Sequence, residues 1–181
     1  MGGSGRPPSP SRLRADMKSA LRRVPIDVRP YDAVRDADAF RACVIEHQDF
    51  HRALEPAWPE GKAIIDDYVA YLETQCATHD GRVMIADSGG TIVGFVCVVA
   101  STRGDSPDDP ATYAWVHDIF VRPEHRRQGV ATALMAEAES FVRSRGAREL
   151  RLGVLDRNAD ARALYRGLGF RDYVRVVTKP L

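Results

Sequence analysis

The chain has 181 residues, 44% of them hydrophobic, enough for one domain with its own core, and no apolar run approaches the roughly 18 residues of a membrane span. A net charge of +1 supplies no global field that would recruit nucleic acid. Cys43, Cys76 and Cys97 lie in apolar segments without C-x-x-C spacing, the pattern of reduced, buried thiols in a cytoplasmic protein rather than of a disulfide framework.

Residues 1–22 are rich in Gly, Pro, Ser and Arg and lack both periodicity and the apolar stretch of a signal peptide, so a disordered tail is expected ahead of a single domain over 23–181. Residues 24–29 read as a first strand. Phe40, Cys43, Val44, His47, Phe50, His51 and Leu54 then form one helical stripe, and Ile64, Ile65, Tyr68, Val69 and Leu72 form another. A loop stiffened by Pro56 and Pro59 and carrying Trp58 joins the two helices. Strands follow over 82–87 and 91–100, linked by a hairpin turn at Ser88-Gly89-Gly90; the second is apolar on both faces and therefore central.

After a polar loop, a strand over about 112–121 ends at Pro123. A helix with Val130, Leu134, Ala138, Phe141 and Val142 on its inner face comes next. Leu150, Leu152 and Val154 alternate as a further strand. Asn158 suits the N-cap of a last helix that Gly169 closes, and residues 170–177 supply a final strand. The order β-α-α-β-β-β-α-β-α-β predicts a mixed α/β sheet with helices on both sides.

The most telling stretch is Arg126-Arg127-Gln128-Gly129-Val130-Ala131, which places R-x-x-G-x-A at a helix entrance directly after an apolar strand. A helix start has unpaired N–H groups and partial positive charge, so small side chains there let an anion approach the backbone. The spacing is neither that of a nucleotide P-loop nor that of a dinucleotide fold. Downstream, Asn158 to Phe170 reads N-x-x-A-x-x-L-Y-x-x-x-G-F. Among the five histidines there is no H-E-x-x-H, and no G-x-S-x-G elbow occurs, so neither metal catalysis nor a serine hydrolase is expected.

Together these two motifs, between about Trp115 and Phe170, resemble the cofactor motifs of the GNAT N-acetyltransferase superfamily. The resemblance implies a GNAT-like domain with a splayed central sheet and acetyl-CoA as acyl donor, without a metal. The backbone at Ile119, Phe120 and Val121 would then receive the pantetheine arm. The N–H groups of Gln128, Gly129, Val130 and Ala131, with the Thr132 hydroxyl, would meet the pyrophosphate, and Arg126 and Arg127 would offset its charge. Asn158 and Tyr165 fall at cofactor-binding positions, and Tyr165 matches the tyrosine that commonly serves as the thiol-side acid.

The base is read from His117-Asp118. Where branches acting on small amines often carry a glutamate, this chain carries His117, whose ordinary pKa suits accepting a proton at neutral pH. Consecutive strand residues point to opposite faces, so His117 and Asp118 can share a face only across a bulge; Asp118 is an amine-orienting or a structural residue. Glu46, His47, Asp49, His51, Glu55 and Trp58 are candidates to receive a cationic amine, against the reading of a solvated face and core-edge histidines. No cysteine lies at either motif, which favours direct transfer over an acyl-enzyme. The expected acceptor is a small-molecule primary amine. A peptide or protein amine, or a non-catalytic acyl-CoA sensor, stands as the alternative. No nucleic-acid or membrane partner is expected, and a C-terminal strand that can pair between subunits admits a homodimer.

Overall fold

The computed structural model describes residues 25–103 and 112–179, built around one five-stranded sheet. In chain order the elements are β1 (Ile26–Pro30), α1 (Ala33–Leu54), α2 (Gly61–Thr78), β2 (Gly81–Ser88), β3 (Thr91–Arg103), β4 (Thr112–Val121), a 3-10 turn (Pro123–His125), α3 (Val130–Ser144), β5 (Leu150–Leu152) and α4 (Ala159–Gly167). The strands lie in sequence order, antiparallel up to β4, and β4 and β5 run parallel because α3 crosses between them. The tail expected over 1–22 and most of the polar loop before β4 lie outside the described residues.

Helices cover both faces of the sheet, which explains why β3 is apolar and buried over residues 92–100. On one face Phe40, Cys43 and Val44 of α1 and Val69 and Leu72 of α2 meet Ile85, Phe95, Cys97 and Phe120. On the other, Val130, Leu134, Met135, Ala138 and Phe141 of α3 meet Val93, Val96, Val98, Val116 and Val121. Each large buried side chain is worth roughly 1.5–3 kcal/mol, against about 1 kcal/mol or less for an exposed ion pair, so these two layers hold the fold. The β2–β3 turn runs through Gly89 and Gly90 at φ 63° and 89°, and Asp87 Oδ1 accepts the Gly90 N–H at 2.6 Å. That is the left-handed pair a tight hairpin requires. Among the described residues no helix is long and apolar enough to cross a membrane.

Three expectations are corrected. The final strand over 170–177 does not form: those residues carry no strand pairing, and residues 171–179 are exposed. β5 is only three residues long, too short an edge to hold a ladder, and Tyr173 instead takes a side-chain contact, its ring 4.4 Å from the Arg151 guanidinium carbon. For the same reason Val154 lies outside β5 and is exposed. The third correction concerns the thiols. Cys43 and Cys97 are buried, but Cys76 is only partly so.

The sheet parts where the motifs converge. β4 pairs with β5 only at Ala114↔Leu150, Trp115↔Arg151 and Val116↔Leu152. From His117 to Val121, β4 is bonded in the sheet on its β3 side alone, so its other edge faces the gap opened by the departing β5.

Candidate active site

At the parting point β4 carries a bulge. Its register with β3 passes from Val98↔Val116 to Cys97↔Asp118, leaving His117 as the extra residue. Val116 and Ile119 pack into the α3 layer, and between them His117 and Asp118 both turn toward α2. The Tyr68 hydroxyl donates to Asp118 Oδ2 at 2.9 Å, and Tyr71 Oη lies 3.2 Å from His117 Nδ1, in a hydrogen bond whose direction follows the imidazole tautomer. The bulge thus gives one face two neighbouring titratable groups, each held by a tyrosine one turn apart on α2.

The electrostatics differ for the two. Asp118 is 5% exposed, and burial pushes its carboxyl up to about 7 despite the Tyr68 hydrogen bond that favours its charged form. His117 is half-buried, and burial, followed by the charge of His79, lowers its pKa, so its imidazole is neutral at neutral pH. Beneath Asp118 lies His47 of α1, Nδ1 to Oδ1 3.5 Å. Burial first, then His51 and Arg126, lower the His47 pKa, and Nδ1 has no hydrogen-bond partner among the described residues. The contact is therefore a neutral imidazole against a carboxyl that titrates near 7, not a buried ion pair. Tyr165 of α4 is 9% exposed; burial and then the Asp118 charge push its hydroxyl up to about 12, which keeps its proton on.

The entrance of α3 is built from backbone. Gly129 is its N-cap at φ 85°, no side chain caps it, and its first turn holds no acidic residue. A Cβ placed on Gly129 would meet nothing within 4 Å, so the space beside Gly129 at the helix mouth is open. Arg127 also has positive φ, 59°, and is exposed. Gln128 folds back, donating from Nε2 to the Glu124 carbonyl at 2.9 Å. Arg126 turns toward the sheet, Nε donating to the Val121 carbonyl at 2.9 Å with its guanidinium over Phe50 and Phe120. Asn158 caps α4 by accepting the Ala161 N–H, and Gly169 follows that helix at φ 91°. An uncapped, acid-free helix mouth beside an unpaired strand edge fits a diphosphate bearing an amide-containing arm.

The expected acceptor residues divide. His47, His51 and Trp58 form a row, His47 to His51 4.2 Å and His51 to Trp58 5.4 Å between ring centres, running from buried Asp118 to exposed Trp58. The carboxylates are engaged elsewhere. Glu46 takes a two-point bond from Arg122 at 2.9 and 3.2 Å, Glu55 pairs with Arg157 at 3.4 Å, and Asp49 accepts the Gly61 N–H at 2.8 Å. Arg157 also donates to the Leu54 carbonyl at 3.1 Å, tying the β5–α4 loop to the α1–α2 loop. Sequence reasoning missed the roles of Tyr68 and Tyr71. Tyr68 reads as part of an apolar stripe, and the only signal is a second tyrosine three residues on.

Residues 47–170 match the acetyltransferase (GNAT) family. A bovine (Bos taurus) thialysine N-epsilon-acetyltransferase is 38% identical over 58 residues, 32% of this chain and 34% of that protein. An aminoglycoside N(6')-acetyltransferase type 1 of Serratia marcescens is 28% identical over 137 residues, 75% of this chain and 92% of that one. The matched segment thus spans about a third of the length of the thialysine relative and nearly all of the other. Among solved structures, the aminoglycoside acetyltransferase AAC(6')-Iy with a bisubstrate analog of CoA superposes at TM-score 0.66 and 22% identity, over 87% of this chain and 98% of that one. A Bacillus halodurans protein, BH1408, superposes at TM-score 0.72 and 16% identity, over 86% and 99%.

Proposed function

From the premise that this chain belongs to the acetyltransferase (GNAT) family, we propose that it transfers an acetyl group from acetyl-CoA to the primary amine of a small molecule, directly within a ternary complex. The observation that carries this reading is the open, uncapped entrance of α3 at Gly129 beside the unpaired edge of β4. The amides of the helix entrance from Gln128 to Ala131, with Thr132 and Arg127 at the rim, bind the diphosphate, and Arg126 braces the turn from below through its bond to Val121. The backbone at Ile119, Phe120 and Val121, save the Val121 carbonyl that Arg126 holds, offers its free edge to the pantetheine amides, with Asn158 holding the neighbouring helix start.

Acetyl-CoA, when bound, supplies the activated acyl group. The chain's own residues handle protons. His117, half-buried and neutral, takes the proton that the acceptor ammonium must lose, directly or through water. Asp118 orients the amine side of the site and is itself set by Tyr68. Tyr165 keeps its hydroxyl proton at neutral pH and donates it toward the leaving sulfur. The matched relatives are named for thialysine and aminoglycosides, both amines, which supports a small-molecule amine acceptor. Within the described motifs no cysteine stands by to form an acyl-enzyme.

The test is release of CoA from acetyl-CoA across a panel of primary amines, peptides included. Amine-dependent release without a burst of acetyl-enzyme is the expected result. Tight binding of acetyl-CoA with no release for any amine would replace the reading with that of a sensor.

A further inference from the structure

Cys76 near the end of α2 and Cys97 in the middle of β3 are 21 residues apart, and their sulfurs lie 3.6 Å from each other. The approach is permitted by Gly81 at the start of β2. A Cβ there would fall 2.7 Å from the Cys76 Cα and 2.7 Å from a Val99 methyl, so only glycine lets the helix end settle onto the sheet. Cys76 also borders a cavity of about 340 Å³ shared with Pro30, Tyr31, Glu73 and Val83, whereas Cys97 is fully buried behind it. One thiol therefore faces an entry route and the other waits at its back.

We propose that Cys76 and Cys97 form a modification site for small hydroperoxides, in which Cys76 is oxidised first and Cys97 resolves it to an intramolecular disulfide. The Cys76 thiolate attacks the peroxide, the O–O bond breaks, and the leaving oxygen takes a proton and departs, as water from hydrogen peroxide or as the alcohol from an organic hydroperoxide, leaving a sulfenic acid on Cys76. Cys97 then attacks that sulfur, the S–S bond forms, and the sulfenic oxygen leaves as water carrying the Cys97 proton. The peroxide is reduced by the electron pair the two thiols lose. The order follows from access and agrees with acidity: the contact with Cys97 lowers the Cys76 pKa against the opposing effect of burial, while the Cys97 pKa is raised. Cys43 is an internal control, fully buried, its thiol pushed up to about 11 by burial.

The site couples to the cleft by position. Cys97 is the direct partner of Asp118 in the β3–β4 ladder, and Cys76 shares α2 with Tyr68 and Tyr71, which hold Asp118 and His117. A disulfide is shorter than the present gap, so closing it draws α2 onto β3 and shifts both tyrosines. On the proposed acetyl transfer, oxidation lowers turnover by about tenfold or more, the scale expected when a positioned group moves by a fraction of its contact distance.

The experiment treats the reduced full chain with hydrogen peroxide and follows thiol number, a peptide map and CoA release. The expected result is joint loss of two thiols, a peptide joining Cys76 to Cys97, survival of Cys43, and reversal by dithiothreitol. Cys97→Ala should leave a sulfenic acid on Cys76 that dimedone traps, and Cys76→Ser should form no cross-link and keep its activity in peroxide. Intermolecular bridging, earlier loss of Cys43, or both thiols surviving excess peroxide would overturn the site. A cross-link with unchanged CoA release would overturn its coupling to the cleft. The thiol map stands apart from the activity assay, so failure of the acetyl-transfer reading is separately visible.

Discussion

At the mouth of α3 the groups offered to a ligand are main-chain amides around Gly129, whereas on the α2 side of β4 they are the side chains of His117, Asp118, Tyr68, Tyr71 and His47. The first region is short in sequence and set by helix geometry, with one left-handed glycine and no capping side chain. The second is assembled from α1, α2 and β4, whose contributing residues are far apart in the chain, 50 positions in the Tyr68–Asp118 bond alone. A backbone site binds by shape and partial charge. A side-chain site can instead be tuned in protonation, which is what burial does to Asp118 and His117.

The sharpest way to separate the two regions is Asp118→Asn, because it removes a titration from the side-chain region and leaves the backbone region untouched. The folded chain keeps the Asp118 proton up to about pH 7, while the unfolded chain gives it up near its ordinary value of 3.8, so this group costs stability progressively as pH rises between those limits. His47 acts in the opposite sense, since its lowered pKa makes stability rise with pH up to its ordinary 6.5. The advantage of Asp118→Asn over the parent chain is therefore expected to grow with pH, by about 2–4 kcal/mol across the window. Urea unfolding at several pH values measures it, and a pH-independent difference would contradict the buried-carboxyl account.

Next in size is His117→Ala, expected to lower kcat about a hundredfold and to remove the acid limb of the pH profile with acetyl-CoA affinity kept. Tyr165→Phe is smaller, about tenfold in kcat, since packing against Phe170, 5.8 Å between ring centres, survives and only the hydroxyl is lost. Should either variant change acetyl-CoA binding as much as turnover, the division of the cleft into a backbone end and a side-chain end would fail.

The same division governs what was legible in the chain. The α3 entrance could be read from R-x-x-G-x-A as a helix start because its geometry depends on a few consecutive residues and on the left-handed Gly129. The Asn158 cap and the double-glycine turn were legible for the same local reason. The bulge at His117 was only a condition, because register depends on which residue of β3 each residue of β4 meets. Tyr68 and Tyr71 were hidden because a phenol in a helical stripe looks alike whether it packs or bonds a carboxylate. The strand expected over 170–177 had the right composition but too short an edge to join.

The central claim is that main-chain amides around Gly129 hold the donor. Isothermal titration of acetyl-CoA into the parent chain and into Gly129→Val tests it most directly, since the left-handed backbone penalizes valine by about 1–2 kcal/mol and its side chain would fill the open space before the helix. The account predicts one-to-one binding that weakens about tenfold or more in the variant. Equal affinity in both proteins, or no heat of binding in the parent chain, would contradict it.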